Sequence, residues 1–150
     1  LEVLDLSDSS FSDEGMAHLG ALTGLAELNL SNTRIGDSHL QSLESLKKLK
    51  ALSLAGTRVS DDGLAEVGKL ATLKVLLLGA TKITDDGLAH LAGLKELETL
   101  SLQNTSITDA GLQALAGLKQ LKSLGVADTR VTDARLKLLQ EKLPQLRVVR

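Results

Sequence analysis

A short stretch, ITDDGL at residues 83–88, returns along the chain every 24 residues, and this limits the possible folds more than any other feature. The matching stretches are FSDEGM at 11, IGDSHL at 35, VSDDGL at 59, ITDAGL at 107 and VTDARL at 131. The repeats begin at Leu1, Leu25, Leu49, Leu73, Leu97 and Leu121, and a partial seventh begins at Leu146 after one extra residue near Pro144. Repetition at 20–29 residues built on L-x-x-L-x-L predicts a solenoid of stacked units.

Within each repeat the spacing of the apolar residues changes. Leu100 and Leu102 are two apart, which places both on one face of a short strand. Leu112, Leu115 and Leu118 are three apart, which gives an apolar stripe on a short helix. One strand and one helix cannot bury these surfaces alone, so we expect an α/β domain whose core becomes continuous when the repeats stack. In the seventh unit, this register predicts that Leu146 and Val149 face the core.

Three further columns also recur, and we expect each to serve the architecture. The aspartates are Asp13, Asp37, Asp61, Asp85, Asp109 and Asp133, mostly after Ser or Thr; the threonines are Thr33, Thr57, Thr81, Thr105 and Thr129, with Ser9 completing that column. Free N–H groups and the helix dipole favour a hydroxyl or a carboxylate where a helix begins, so Asp or its neighbour is expected to cap each helix. The threonines are expected to satisfy backbone groups in a buried turn. Gly15, Gly63, Gly87 and Gly111 are expected to allow close approach between coils.

Composition excludes several classes of protein. The 150 residues are 43% hydrophobic and 24% charged with a net charge of −2, which argues against a general electrostatic binder of nucleic acid. Cysteine is absent, so there is no disulfide framework, and no apolar run is long enough to predict a membrane span. The chain opens on LEVLDL without Met, and we expect one domain, residues 1–150, cut from a longer protein at its N-terminus. The compartment stays undetermined.

The pattern L-x-x-L-x-L-x-x-T-x-I-T-D-x-G-L-x-x-L resembles the leucine-rich repeat superfamily over the whole chain. It looks most like the T-D-x-G-L subtype of bacterial repeat proteins and is similar to the cysteine-containing repeats of F-box proteins, although Thr replaces their usual Asn or Cys. The resemblance implies a right-handed, ribonuclease-inhibitor-like solenoid, with a parallel sheet on the concave side and short helices on the convex side. It also implies protein binding without catalysis by the repeats.

Residues that could carry catalysis or bind a metal are few. His18 and His90 share a helix column but lie three repeats apart, about 14 Å at the usual strand spacing, which is too far for one metal ion. His39 occupies another column. The sequence contains no G-x-S-x-G, H-E-x-x-H or phosphate-loop motif. We therefore predict no enzyme activity, no metal and no cofactor.

The outward positions of the strands are the candidate recognition face. The central column includes Asn29, Ser53, Leu77 and Ser101, and no Tyr or Trp is available as an interface anchor. Just past the threonines, Arg34, Arg58, Lys82 and Arg130 make four of six repeats basic. These cations either bind an acidic protein surface or are neutralised by the Asp column three residues onward.

The sequence therefore predicts a non-catalytic protein-interaction module or scaffold that uses the concave strand face, monomeric as a domain. Two alternatives remain open: spacer repeats within a larger enzyme or surface protein, and an enzyme whose site the motifs do not reveal.

Overall fold

Seven short parallel strands form one sheet in chain order in this computed structural model, which describes the backbone of residues 1–150 and every side chain except that of Asp13. The strands are β1 (Val3–Asp5), β2 (Glu27–Asn29), β3 (Ala51–Ser53), β4 (Val75–Leu77), β5 (Thr99–Ser101), β6 (Ser123–Gly125) and β7 (Arg147–Val149). Each strand residue pairs with the residue 24 positions later, as Leu52 does with Leu76. The sequence period is therefore the stacking period of the solenoid.

The seventh unit departs from the expected register. Leu124 pairs with Val148, and Val148 packs on the core whereas Val149 is half exposed. The prediction that Val149 faces the core was wrong, although Leu146 is buried as expected. Because Leu146 and Val148 are only two apart, the strand absorbs the extra residue near Pro144 and the pairing returns to 24.

Short helices follow the strands. The α-helices are α1 (Asp13–Leu19), α2 (Asp37–Leu40), α3 (Asp61–Val67), α4 (Asp85–Leu88) and α5 (Asp133–Lys142), and three 3-10 segments cover Gln41–Leu43, Ala89–Gly93 and Gly111–Leu115. A 24-residue repeat leaves room for only one or two helical turns, so tight 3-10 geometry is common. No helix in the described chain is long and apolar enough to cross a bilayer.

The core lies between the sheet and the helices and consists mostly of leucine. Leu100 and Leu102 of one repeat and Leu112 and Leu115 of its helical segment are essentially inaccessible, which confirms the expected change of period. The leucines that begin the repeats are buried except for the first, Leu1, which is 73% exposed because no repeat packs on its outer side.

The threonine column serves the turns as expected. Each threonine hydroxyl donates to the backbone carbonyl three residues earlier at 2.6–2.7 Å, in the pairs Thr33–Leu30, Thr57–Leu54, Thr81–Leu78, Thr105–Leu102 and Thr129–Val126. Ser9 differs, because its exposed hydroxyl donates to the Ser7 carbonyl at 3.2 Å.

Each turn also contains one residue in the left-handed region, with φ between 52° and 69°. The column is Asp8, Asn32, Gly56, Ala80, Asn104 and Asp128. Gly has no Cβ to clash in this conformation, and the side chains of Asn and Asp can compensate by local hydrogen bonds. Ala has a Cβ and no such hydrogen bond. Ala80 is therefore the one member of the column whose residue type does not suit its backbone.

Candidate binding surface

The backbone of the turns places the basic residues in register. We call Arg34, Arg58, Lys82 and Arg130 the basic row. The N–H of Arg58 donates to the Ile35 carbonyl at 2.8 Å, and that of Lys82 to the Val59 carbonyl at 3.0 Å, so the chain pairs again beyond the sheet. Arg34, Arg58 and Lys82 thus lie in adjacent repeats, whose backbones are stacked about 4.8 Å apart. All four side chains are exposed.

None of these cations forms an ion pair among the side chains that the structure describes. Arg130 has a single long contact, from Nη2 to the Ser106 carbonyl at 3.4 Å. No hydrogen bond from the side chain of Arg34, Arg58 or Lys82 to another described group is present. The geometry therefore gives no support to neutralisation by contact with the Asp column.

The Asp column has other partners, which lie in the next repeat. Asp61 Oδ1 accepts the Thr84 backbone N–H at 2.8 Å, and its Oδ2 accepts the Thr84 hydroxyl at 2.5 Å. The same double contact joins Asp37 to Ser60, Asp85 to Thr108 and Asp109 to Thr132. The expectation of a cap on the residue's own helix misses this role, because the carboxylate links neighbouring repeats instead. The side chain of Asp13 lies outside the described part of the chain.

The hydroxyl at a helix start can also accept an N–H of its own helix, as expected from the sequence. Ser12 and Thr132 each accept a helix N–H at 3.3 Å, from Gly15 and Arg135. In α3 and α4, by contrast, the N-cap residues Ser60 and Thr84 make no side-chain cap. Thr132 also donates its hydroxyl to Asp109, so the contact between repeats does not exclude a helix cap. At Ser60 and Thr84 only the contact between repeats is made.

The two hydrogen bonds from Thr132 lower the pKa of the Asp109 carboxyl, the backbone N–H having the larger effect. Both bonds favour the ionised carboxylate, because both of its oxygens can accept hydrogen bonds.

The glycine column is explained by the same carboxylates. A Cβ added at Gly87 would overlap Asp61 Oδ1 and lie 2.9 Å from Asp61 Cγ. Gly63 and Gly111 meet Asp37 and Asp85 in the same way. The expected close approach is confirmed at these three positions, and its cause is the interlocking carboxylate. At Gly15 an added Cβ would meet nothing nearer than 3.5 Å.

On the open face of the sheet, the polar groups of the first three strands bind one another. Asp5 accepts the Ser7 hydroxyl at 2.6 Å and the Asn29 amide at 3.2 Å. Asn29 accepts the Ser31 hydroxyl at 2.7 Å, and the Ser31 and Ser53 hydroxyls lie 2.6 Å apart. The bonds from Ser7, followed by that from Asn29, lower the Asp5 pKa. The structure thus places the predicted contacts Asn29 and Ser53 inside an internal polar chain.

Beside this chain lies an apolar groove with a volume of about 270 Å³. Its apolar walls include Val3, Ala51, Val75 and Leu77, and we call it the apolar groove. The acidic residues Asp5 and Glu27 also line it, on the side of β1 and β2. Sequence reasoning named Leu77 but missed Val3, Ala51 and Val75. The signal was available, because residues two apart on a strand share a face, so these positions accompany the central column.

The same face is closed farther along. Gly125 is buried, and a Cβ added there would lie 3.1 Å from the Gln103 amide nitrogen. The Gln103 side chain therefore lies over β6, next to the predicted contact Ser101, whose hydroxyl would be 3.4 Å from the same added atom.

At the strand starts, Glu98 forms ion pairs with two lysines, a cluster that sequence reasoning missed. Glu98 pairs with Lys122 at 2.7 Å and with Lys74 at 3.4 Å. The hydrogen bond from Lys122, followed by that from Lys74, lowers the pKa of the Glu98 carboxyl. These lysines therefore differ from the basic row, which lacks such a carboxylate.

The histidines do not come together as a metal centre. His18 and His90 are exposed, and His39 Nδ1 lies 3.1 Å from the Gly36 backbone nitrogen. Among the described residues no group of three or more His, Cys, Asp or Glu is placed to hold a metal ion.

Comparison with known proteins agrees with this architecture. A family model described as a leucine-rich repeat region matches residues 1–150. The chain therefore belongs to the leucine-rich repeat family. Domains of this family generally mediate protein–protein interaction and are typically non-catalytic. No curated protein matches the sequence.

Solved structures from two bacterial genera are similar to this chain. An internalin of Listeria monocytogenes, inlF, is 24% identical with a TM-score of 0.78, over 97% of this chain and 39% of its own. Internalin C2 of the same species is 26% identical with a TM-score of 0.67, over 98% and 69%. A leucine-rich repeat protein of Leptospira interrogans is 19% identical with a TM-score of 0.65, over 100% and 49%. The chain thus spans less than half the length of the first and third.

Proposed function

We propose that this chain is a protein-interaction module that docks an acidic protein surface on the basic row, without catalysis of its own. The observation that carries the proposal is the row itself: three cations in adjacent repeats, held in register by backbone hydrogen bonds, with no carboxylate contact. The neighbouring face, with Leu77 and Ser101 open to solvent in part, completes the surface.

Charge explains why a partner would bind here. Two unit charges about 5 Å apart repel by roughly 1 kcal/mol in water and more near a protein surface. The fold places no carboxylate in contact with these cations, because the nearby Asp column is hydrogen-bonded to the next repeat. A partner carboxylate set into the row would relieve it and would also steer association.

The wider context forms part of the proposal. We infer that the repeats belong to the 24-residue T-D-x-G-L subtype, similar in pattern to bacterial proteins and to F-box receptor repeats. We further infer that residues 1–150 are one monomeric domain of a longer chain. The partner would then bind to this one domain of the longer protein.

The alternative is that the repeats are a spacer. One observation favours it: the open face of the sheet offers no Tyr or Trp, the anchors that dominate many tight interfaces. A spacer would leave the basic row solvated and without a ligand.

Affinity capture with a matched charge control separates these possibilities. The test protein is Arg34→Glu/Arg58→Glu/Lys82→Glu. The control is Lys47→Glu/Lys48→Glu/Lys95→Glu, which changes the net charge equally at exposed lysines of other loops. We expect a protein that is retained by wild type and control and lost by the test protein, with unchanged circular dichroism. Equal retention by all three would contradict the role of the row, and no retention by any would favour the spacer.

A further inference from the structure

The apolar groove and the basic row lie on the same repeats. Val75 and Leu77 belong to β4, and Lys82 follows Val75 by seven residues and Leu77 by five. On the preceding repeat Arg58 follows Ala51, the partner of Val75, by the same seven residues. Between Leu77 and Lys82 lie Gly79 and Ala80, and the corresponding positions of the preceding repeat are Ala55 and Gly56. No large side chain from these positions stands between the groove and the two cations.

Hydrogen-bonding capacity in this region is largely spent. The polar chain from Asp5 to Ser53 satisfies its own members, so a ligand gains little by binding them. The available gain is apolar contact with Val75, Leu77 and Ala51, together with charge pairing at Arg58 and Lys82. These two gains lie side by side, which defines the chemistry of the occupant.

We propose that the apolar groove seats one aliphatic side chain of an acidic protein segment whose carboxylates bind Arg58 and Lys82. This rests on the proposed function, since the same partner supplies the carboxylates, and it adds the residue that fixes the partner's register. The cations Arg58 and Lys82 select acidic residues beside β3 and β4, whereas Asp5 on β1 and Glu27 on β2 line the groove farther from these cations. The apolar walls select a Leu-like anchor rather than a further charge.

The geometry limits the spacing in the segment. Five residues separate Leu77 from Lys82, so their Cα atoms are at most about 17 Å apart and closer because the chain turns between them. An extended partner rises about 3.3 Å per residue, so its acidic residues would lie within roughly five positions of the anchor.

Fluorescence anisotropy with defined peptides tests this. The probes are labelled peptides of Asp, Glu, Gly and Ser with a single Leu, in which the spacing from Leu to two adjacent acids is varied from one to five. Each has a counterpart with Ser in place of Leu. The proteins are the 150-residue chain, Leu77→Ser, and Leu138→Ser as the matched control, since Leu138 is exposed on α5. Ser already stands in the Leu77 column at residues 53 and 101, so the substitution suits the strand.

We expect at least one spacing at which the Leu peptide binds the wild type about tenfold more tightly than its Ser counterpart. Leu77→Ser should bring this ratio to within about twofold, and Leu138→Ser should leave it unchanged. If Leu77→Ser proves unstable, Val75→Thr replaces it, because Thr99 occupies the same column of the next repeat.

Other outcomes overturn specific parts. Equal binding of Leu and Ser peptides at every spacing would refute the anchor while leaving the acidic docking intact, provided Arg34→Glu/Arg58→Glu/Lys82→Glu weakens both. A Leu preference that survives Leu77→Ser would also refute the groove. If no acidic peptide binds the wild type even at low salt, the proposed function fails together with the inference.

Discussion

Arg58 and Asp61 stand three residues apart in one turn and recur together along the chain, yet the fold uses them differently. Asp61 accepts two hydrogen bonds from Thr84 of the next repeat, and Gly87 leaves room for its carboxylate because it has no Cβ. Arg58 has an ordered backbone and no side-chain partner. Regular recurrence alone therefore does not identify a structural column; the hydrogen bonds of its side chains do.

The largest effect that would test this comparison is expected at Gly87. In Gly87→Ala the new methyl overlaps the Asp61 carboxylate, and we expect a loss of about 2 to 3 kcal/mol in the free energy of unfolding. Urea denaturation would measure it.

Gly15→Ala is the matched control, since it occupies the same column without a neighbouring carboxylate within 3.5 Å. It should be neutral or slightly stabilising, because Ala favours helix. Equal losses at the two positions would show that the column serves the helix itself rather than the contact between repeats.

Removal of the carboxylate should have a somewhat smaller effect. Asp61→Ala leaves the Thr84 N–H and hydroxyl without their acceptor, and we expect a loss of about 2 kcal/mol. In the double variant with Gly87→Ala, the loss in the free energy of unfolding should be smaller than the sum of the two single losses, because the overlap disappears with the carboxylate. Strict additivity, measured by the same denaturation, would disprove the direct contact.

At Ala80 a substitution should stabilise the protein. Ala80→Asn places a residue suited to a positive φ in the turn, as Asn32 and Asn104 are, and a gain of about 0.5 to 1 kcal/mol is expected. Ala80→Gly should gain less, since it increases the entropy of the unfolded chain. A loss with both variants would mean that the turn requires the methyl group.

Acid should weaken the interlock in a defined direction. The folded pKa of Asp109 lies below its ordinary value of 3.8, so its stabilising effect is present above that value and is lost as pH falls through the folded pKa. Asp109→Asn should therefore flatten the acid limb of a stability–pH curve measured by denaturation. An unchanged acid limb would exclude a contribution from the bonds to Thr132.

Sequence reasoning reached the fold because the 24-residue period, the leucine columns and the threonine turns are local patterns repeated many times. It could not assign the Asp partners, since Asp61 and Thr84 are 23 residues apart and the carboxylate could equally have capped its own helix. The closure of the face by Gln103 over Gly125 was also inaccessible, because it depends on one side-chain conformation. The position of Val148 depends on where a single extra residue is absorbed.

The salt dependence of stability tests most directly whether the basic row is free of structural pairing. The free energy of unfolding of wild type and Arg34→Ala/Arg58→Ala/Lys82→Ala would be compared from about 0.01 M to about 1 M NaCl, over which the Debye length falls from roughly 30 Å to 3 Å. Mutual repulsion predicts that salt stabilises the wild type relative to the variant, with differences within about 1 kcal/mol. If salt instead destabilised the wild type relative to the variant, the row would be paired within the fold, and the account of it as a recognition surface would be contradicted.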